Sequence, residues 1–110
     1  MFKWGGTKCK QGTFTPEANQ FHVNVGFKPK YLAISCFRTN NYAGTSYMYN
    51  EDVSSTKYIY SSSDSGGTLS TQDLGTSTTY RLYSIDDDGF TMNAFTTSSW
   101  RGNAYYIAIG

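Results

Sequence analysis

The side chains able to carry chemistry are few: one histidine, His22, two cysteines, Cys9 and Cys36, and a run of three acids, Asp86, Asp87 and Asp88. A hydrolase of the serine or cysteine type needs a base held against its nucleophile. His22 falls on the polar phase of a strand and reads as an ordinary strand residue with few partners. Three consecutive acids in a tight turn point in different directions, and neither an EF-hand spacing nor a distant glutamate supports a calcium site. They read as a solvated hairpin turn that binds no metal. Glu17 and Glu51 also lie in turns, away from the facing carboxylates a glycosidase needs. No residue is assigned a catalytic role, so the chain reads as a non-enzyme with no cofactor.

Two cysteines and one histidine fall short of a zinc site. Cys36 sits in the apolar run Tyr31 to Phe37 and reads as a small buried hydrophobe. Cys9 stands between Lys8 and Lys10, a setting that makes an exposed thiol reactive. The start of the chain lacks a signal-peptide apolar core. Classical secretion is therefore not expected, which disfavours a Cys9–Cys36 bridge without excluding it.

What remains is aromatic: 10 Tyr, 7 Phe and 2 Trp in 110 residues. Tyr and Trp pair a flat apolar body with a polar tip, which suits cores, protein interfaces and sugar faces alike. Trp100 stands out because it lies in the polar stretch Thr96 to Asn103, where a large apolar residue needs a reason to be. Arg101 and Asn103 beside it could bond hydroxyls. With Asn41 and Tyr42 of another loop they form the candidate ligand-binding set: Asn41, Tyr42, Trp100, Arg101 and Asn103.

The elements that must position these residues are strands. Phe21 to Gly26 alternates apolar and polar residues with a period of two. A short strand, Gly12 to Thr15, precedes it, and the two are read as a hairpin. Gly26 to Lys30 is a connection, broken by Pro29. Tyr31 to Phe37 is nearly continuous in apolar character, as expected of a central strand covered on both faces. Tyr47 with Tyr49, and Tyr58 with Tyr60, are each two apart, so each pair projects from one sheet face across a hairpin closed by Glu51 to Thr56. Ser61 to Thr79 is the longest polar stretch, and most of it reads as exposed loop. Tyr80 to Ile85 and Phe90 to Phe95 form a hairpin whose Gly89 is expected to supply a positive φ. Ala104 to Gly110 closes the chain. Val23, Val25, Leu32, Ile34, Phe90, Met92 and Ile107 are the expected core.

No window carries the helical period, so residues 1–110 read as a single all-β domain, an antiparallel β-sandwich of about six to eight short strands. Nine basic and eight acidic residues give a net charge of +1 without a basic cluster. Nucleic acid is therefore not an expected partner. No apolar stretch approaches the ~20 residues of a membrane helix, so membrane insertion is not expected either. The chain begins at Met1 and ends on a strand, and it is read as a whole small protein or a terminal domain.

The order of four features resembles a known family. They are Gly-Phe-Lys-Pro from Gly26 to Pro29, the buried strand Tyr31 to Phe37, Asp-Gly-Phe from Asp88 to Phe90, and the closing Tyr-Ile-Ala-Ile-Gly from Tyr106 to Gly110. This order is similar to the H-type lectin domain and to the small β-sandwich modules of bacteriophage tail fibres and tail tips. The chain departs from the lectin pattern in the Ser/Thr/Gly stretch from Ser61 to Thr79 and in Tyr106, where the lectins carry Trp. The resemblance implies a homotrimer that binds sugars in grooves between subunits. It implies a structural protein of the bacteriophage tail, assembled in the host cytoplasm, that contacts other virion proteins and presents a receptor-binding surface to a host-surface glycan. The alternative it implies is a soluble H-type-like lectin devoted to carbohydrate binding.

Overall fold

The computed structural model describes residues 8–39, 44–63 and 66–110. Nine strands run in order among them: β1 (Cys9–Phe14), β2 (Phe21–Asn24), β3 (Tyr31–Phe37), β4 (Gly44–Asn50), β5 (Lys57–Ser62), β6 (Leu69–Asp73), β7 (Leu82–Asp86), β8 (Gly89–Met92) and β9 (Ala104–Ile109). They form two antiparallel sheets, one of six strands in the order β1-β9-β3-β4-β5-β6 and one of three in the order β2-β8-β7. The expected antiparallel all-β sandwich is what the chain forms, with nine strands among the described residues where about six to eight were expected.

Alternation builds the core. Leu32, Ile34 and Cys36 of β3, Tyr47 and Tyr49 of β4, Tyr58 and Tyr60 of β5, and Ala104, Tyr106 and Ala108 of β9 turn one face of the large sheet inward. Phe90 of the small sheet meets Tyr106 of the large one edge-on, with ring centroids 5.6 Å apart. Such tilted contacts suit the quadrupoles of the rings. The Tyr106 ring is so close to β1 that a Cβ on Gly12, its register partner, would lie 2.9 Å from the phenol oxygen. A glycine is required there to leave room for the ring.

Several expectations are corrected. The stretch Gly12 to Thr15 and the strand at Phe21 do not form a hairpin: β1 pairs with β9 and β2 with β8, in different sheets. Pro16, buried in the six residues between them, lies where the chain crosses from one sheet to the other. Ser61 to Thr79, read as mostly loop, also holds an edge strand that was not foreseen, β6, paired with β5 from Lys57↔Asp73 to Ser61↔Leu69. Its polar residues suit an edge strand with one side to solvent. Ile107 is 49% exposed instead of buried, because the inward phase of β9 belongs to Ala104, Tyr106 and Ala108. Val23 is only half-buried. The β7–β8 hairpin forms as expected, with Asp86 opposite Gly89. Gly89, however, is not among the glycines with positive φ. A Cβ there would fall 1.9 Å from the Val23 carbonyl oxygen, so close approach of β2 is what demands glycine.

Candidate functional site

Two surfaces carry the residues of interest. The first is the end of the sandwich where β3 leaves and β9 enters. Here the Thr39 amide donates to the Ser99 carbonyl at 2.8 Å, and the Phe37 amide to that of Asn103 at 3.4 Å. The loop before β9 is thereby pinned to the end of β3, with Gly102 packed against Phe37 and Thr39. A single 3-10 turn, Ser98–Trp100, forms within it.

Trp100 is not the exposed platform its polar neighbourhood implied. Its indole is only 6% exposed and belongs to the core. Arg38 lies over it at 4.2 Å, and Tyr80 packs beside it with ring centroids 6.2 Å apart. Tyr80 sits at φ 64°, a conformation uncommon outside glycine. It is held there by several contacts: its ring meets Phe95 edge-on at 5.3 Å, its hydroxyl donates to Thr97 Oγ1 and accepts from the Thr97 amide, and its carbonyl accepts from the Tyr47 hydroxyl at 2.5 Å. Arg101 is half-buried and Asn103 exposed, so of the candidates in this loop these two reach solvent. Asn41 and Tyr42 lie outside the described residues.

The second surface was not foreseen. Tyr31 to Phe37 was expected to be covered on both faces, and the small sheet covers only one. The other presents a row across all six strands in direct register: Gln11, Ile107, Ala33, Met48, Ile59 and Thr71. Met48 is 57% exposed and Ile59 42%. Phe37, Tyr105 and Leu69 are also exposed on this side, with Phe37 and Tyr105 stacked edge-on at 6.1 Å. A groove of about 550 Å³ runs along the face, and Val53 and Ser54 of the β4–β5 turn line it together with Ala33, Met48, Ile59 and Ile107. Charges keep to its margin, where Lys57 pairs with Asp73 across β5 and β6. The signal was present in the sequence as the odd-numbered residues of the closing strand, Tyr105, Ile107 and Ile109, which are as apolar as the even-numbered ones.

His22 has more partners than a plain strand position predicts. Its Nδ1 lies 2.9 Å from Asp86 Oδ2 and its Nε2 2.9 Å from Asp88 Oδ1. Asp86 also accepts hydrogen bonds from Thr91 at 2.6 Å and Ser84 at 2.7 Å. Burial alone would push the Asp86 carboxyl up, but these two hydroxyls and the neighbouring His22 outweigh it and hold it below the usual carboxylate value. Among the described residues no cluster of three or more His, Cys, Asp or Glu side chains has the geometry to hold a metal ion.

The two cysteines are free, Cys9 exposed and Cys36 buried. Burial pushes the Cys36 thiol up to about 12. No helix among the described residues is long and apolar enough to cross a membrane. Compared with models of protein families, with curated proteins and with solved structures, the chain matches none of them.

Proposed function

We propose that this domain is a structural protein of a bacteriophage tail or tail fibre that works by assembling, as a homotrimer, and by presenting a receptor-binding surface. The observation that carries the assembly half is the exposure of Phe37, Met48, Ile59, Leu69, Tyr105 and Ile107 in a domain whose core is already filled by other residues. Contiguous exposed apolar surface on a small soluble protein marks a place where another molecule sits. The receptor-binding half rests on the pinned loop end, where Arg101 and Asn103 offer hydrogen-bonding groups on a rigid scaffold to a host-surface glycan.

Light scattering coupled to gel filtration tests the assembly: a mass three times that of one chain supports it, and a monomer at micromolar concentration overturns it. Co-purification with virions tests the tail assignment. The alternative, a soluble carbohydrate-binding lectin, is favoured by a defined monosaccharide signal on a glycan array in the absence of any association with virions.

A further inference from the structure

We infer that the assembly surface is the outer face of the six-stranded sheet and that it is covered by the same faces of the other copies in the homotrimer, all three turned towards one axis. The inference rests on the assembly reading above and adds to it the surface, the partner and the residues.

Strand β3 runs apolar residues through both phases, Leu32, Ile34 and Cys36 inward and Ala33 and Phe37 outward on either side of Ser35. A strand with that pattern has apolar surface to bury on both faces. The fold covers the inner face with the β2-β8-β7 sheet and leaves the outer one bare.

In the register row the four middle strands contribute Ile107, Ala33, Met48 and Ile59, while the edge strands contribute Gln11 and Thr71. An apolar centre inside a polar rim, with charge kept away from the middle, is the anatomy of a protein interface. Absence of charge also selects the partner. A face that meets its own copy brings like groups together, so any charge in the centre would repel its mate. The central row and the row beside it, from Thr13 through Tyr105 to Leu69, hold none.

Six strands about 4.8 Å apart and some six residues long at about 3.4 Å each present roughly 500–600 Å² of face. Three such faces turned towards one axis bury on the order of 1,500 Å² together, the scale of a specific assembly and not of a crystal-packing contact. Side chains of facing sheets interdigitate, and the groove beside Met48 gives those of a neighbouring copy somewhere to enter.

The test compares the wild-type chain with Met48→Asp and Ile59→Asp by light scattering. Both positions are exposed in a single chain, so the substitutions spare the monomer fold, which circular dichroism and thermal melting check. A multimeric wild type with folded, monomeric variants supports the inference. A multimeric wild type whose folded variants keep the same mass overturns it while leaving the assembly reading standing, and a monomeric wild type overturns both. A second measurement needs no variant. Hydroxyl-radical labelling of the wild type at high concentration should modify Met48 at least threefold more slowly than after dilution to the monomer, and equal rates in a multimer would also overturn the inference.

Discussion

The guanidinium of Arg38 lies 4.2 Å above the indole of Trp100, which joins the end of β3 to the loop that enters β9. A cation over an indole face contributes about 0.5–2 kcal/mol, more as water is excluded, and here the indole is also packed on Tyr80. Trp100 therefore holds the loop end together from the inside. Replacing it with Ala should cost about 3 kcal/mol or more, the usual range for deleting a buried aromatic. Urea denaturation of Trp100→Ala measures this. A loss below about 0.5 kcal/mol would place the indole on the surface, where such substitutions usually fall.

Gly89 offers a sharper steric test. Its missing Cβ accommodates the Val23 carbonyl oxygen, which would otherwise be only 1.9 Å away, and backbone atoms cannot yield as the tip of a side chain can. Gly89→Ala should separate β2 from β8 and cost about 3 kcal/mol. Gly26 has φ +94° but open space around it, so Gly26→Ala should cost only the roughly 1–2 kcal/mol of a left-handed alanine. If the order of the two melting temperatures is reversed, close approach is not the reason for glycine at 89.

These two positions indicate what could be read from the sequence and what could not. Period-two alternation located Leu32, Ile34, Phe90 and Met92 in the core, because burial on one face leaves a local mark every second residue. The Tyr47 to Tyr60 hairpin was legible for the same reason, and Tyr47 does stand opposite Tyr60. Alternation has no phase of its own, however, and on β9 both phases are apolar, so Ile107 was placed inward when only the three-dimensional neighbours of Tyr106 could decide. Sheet membership was equally invisible, since the six residues between β1 and β2 look the same whether they close a hairpin or cross between sheets. Of the candidate binding set, the loop position of Arg101 and Asn103 was legible and the burial of Trp100 was not. The residues that cover it, Arg38 and Tyr80, are 62 and 20 positions away in the chain.

The Asp86 carboxylate should make the protein acid-sensitive. Its folded value lies below that of an exposed aspartate because Thr91, Ser84 and His22 outweigh the penalty of burial. A carboxyl with a depressed folded value contributes stability that is fully present above the unfolded value near 4 and is lost as pH falls through the folded one. The melting-temperature difference between wild type and Asp86→Asn should therefore be largest above about pH 5 and shrink towards pH 2. A difference that does not change with pH would mean that the charge on Asp86 is not what the hydroxyls recognise. The same contacts occupy the Asp86 oxygens, so melts with millimolar calcium and with chelator should coincide; a calcium-dependent rise would reveal a site, since a ligand bound only by the folded state must raise its stability.

The two thiols should differ in reactivity by more than any composition argument provides. Cys36 is fully buried on the inward face of β3, opposite Thr45 and Ala104, and its thiol is pushed up to about 12 by that burial. The reactive species is the thiolate, so at pH 8 Cys36 is both sheltered from reagent and in the unreactive form. Cys9 is exposed on the edge strand β1 and open to reagent. Titration of the native protein with a chromogenic disulfide should therefore release one equivalent rapidly, and a second only after denaturant is added. The rate of the second in native buffer then reports global unfolding, because β3 lies at the centre of the large sheet between β9 and β4 and cannot open alone. Rapid reaction of both thiols without denaturant would show that the core around Cys36 opens locally, and β3 would not be the central strand described here. A substitution separates the two signals: Cys9→Ser should abolish the fast equivalent and leave the slow one unchanged.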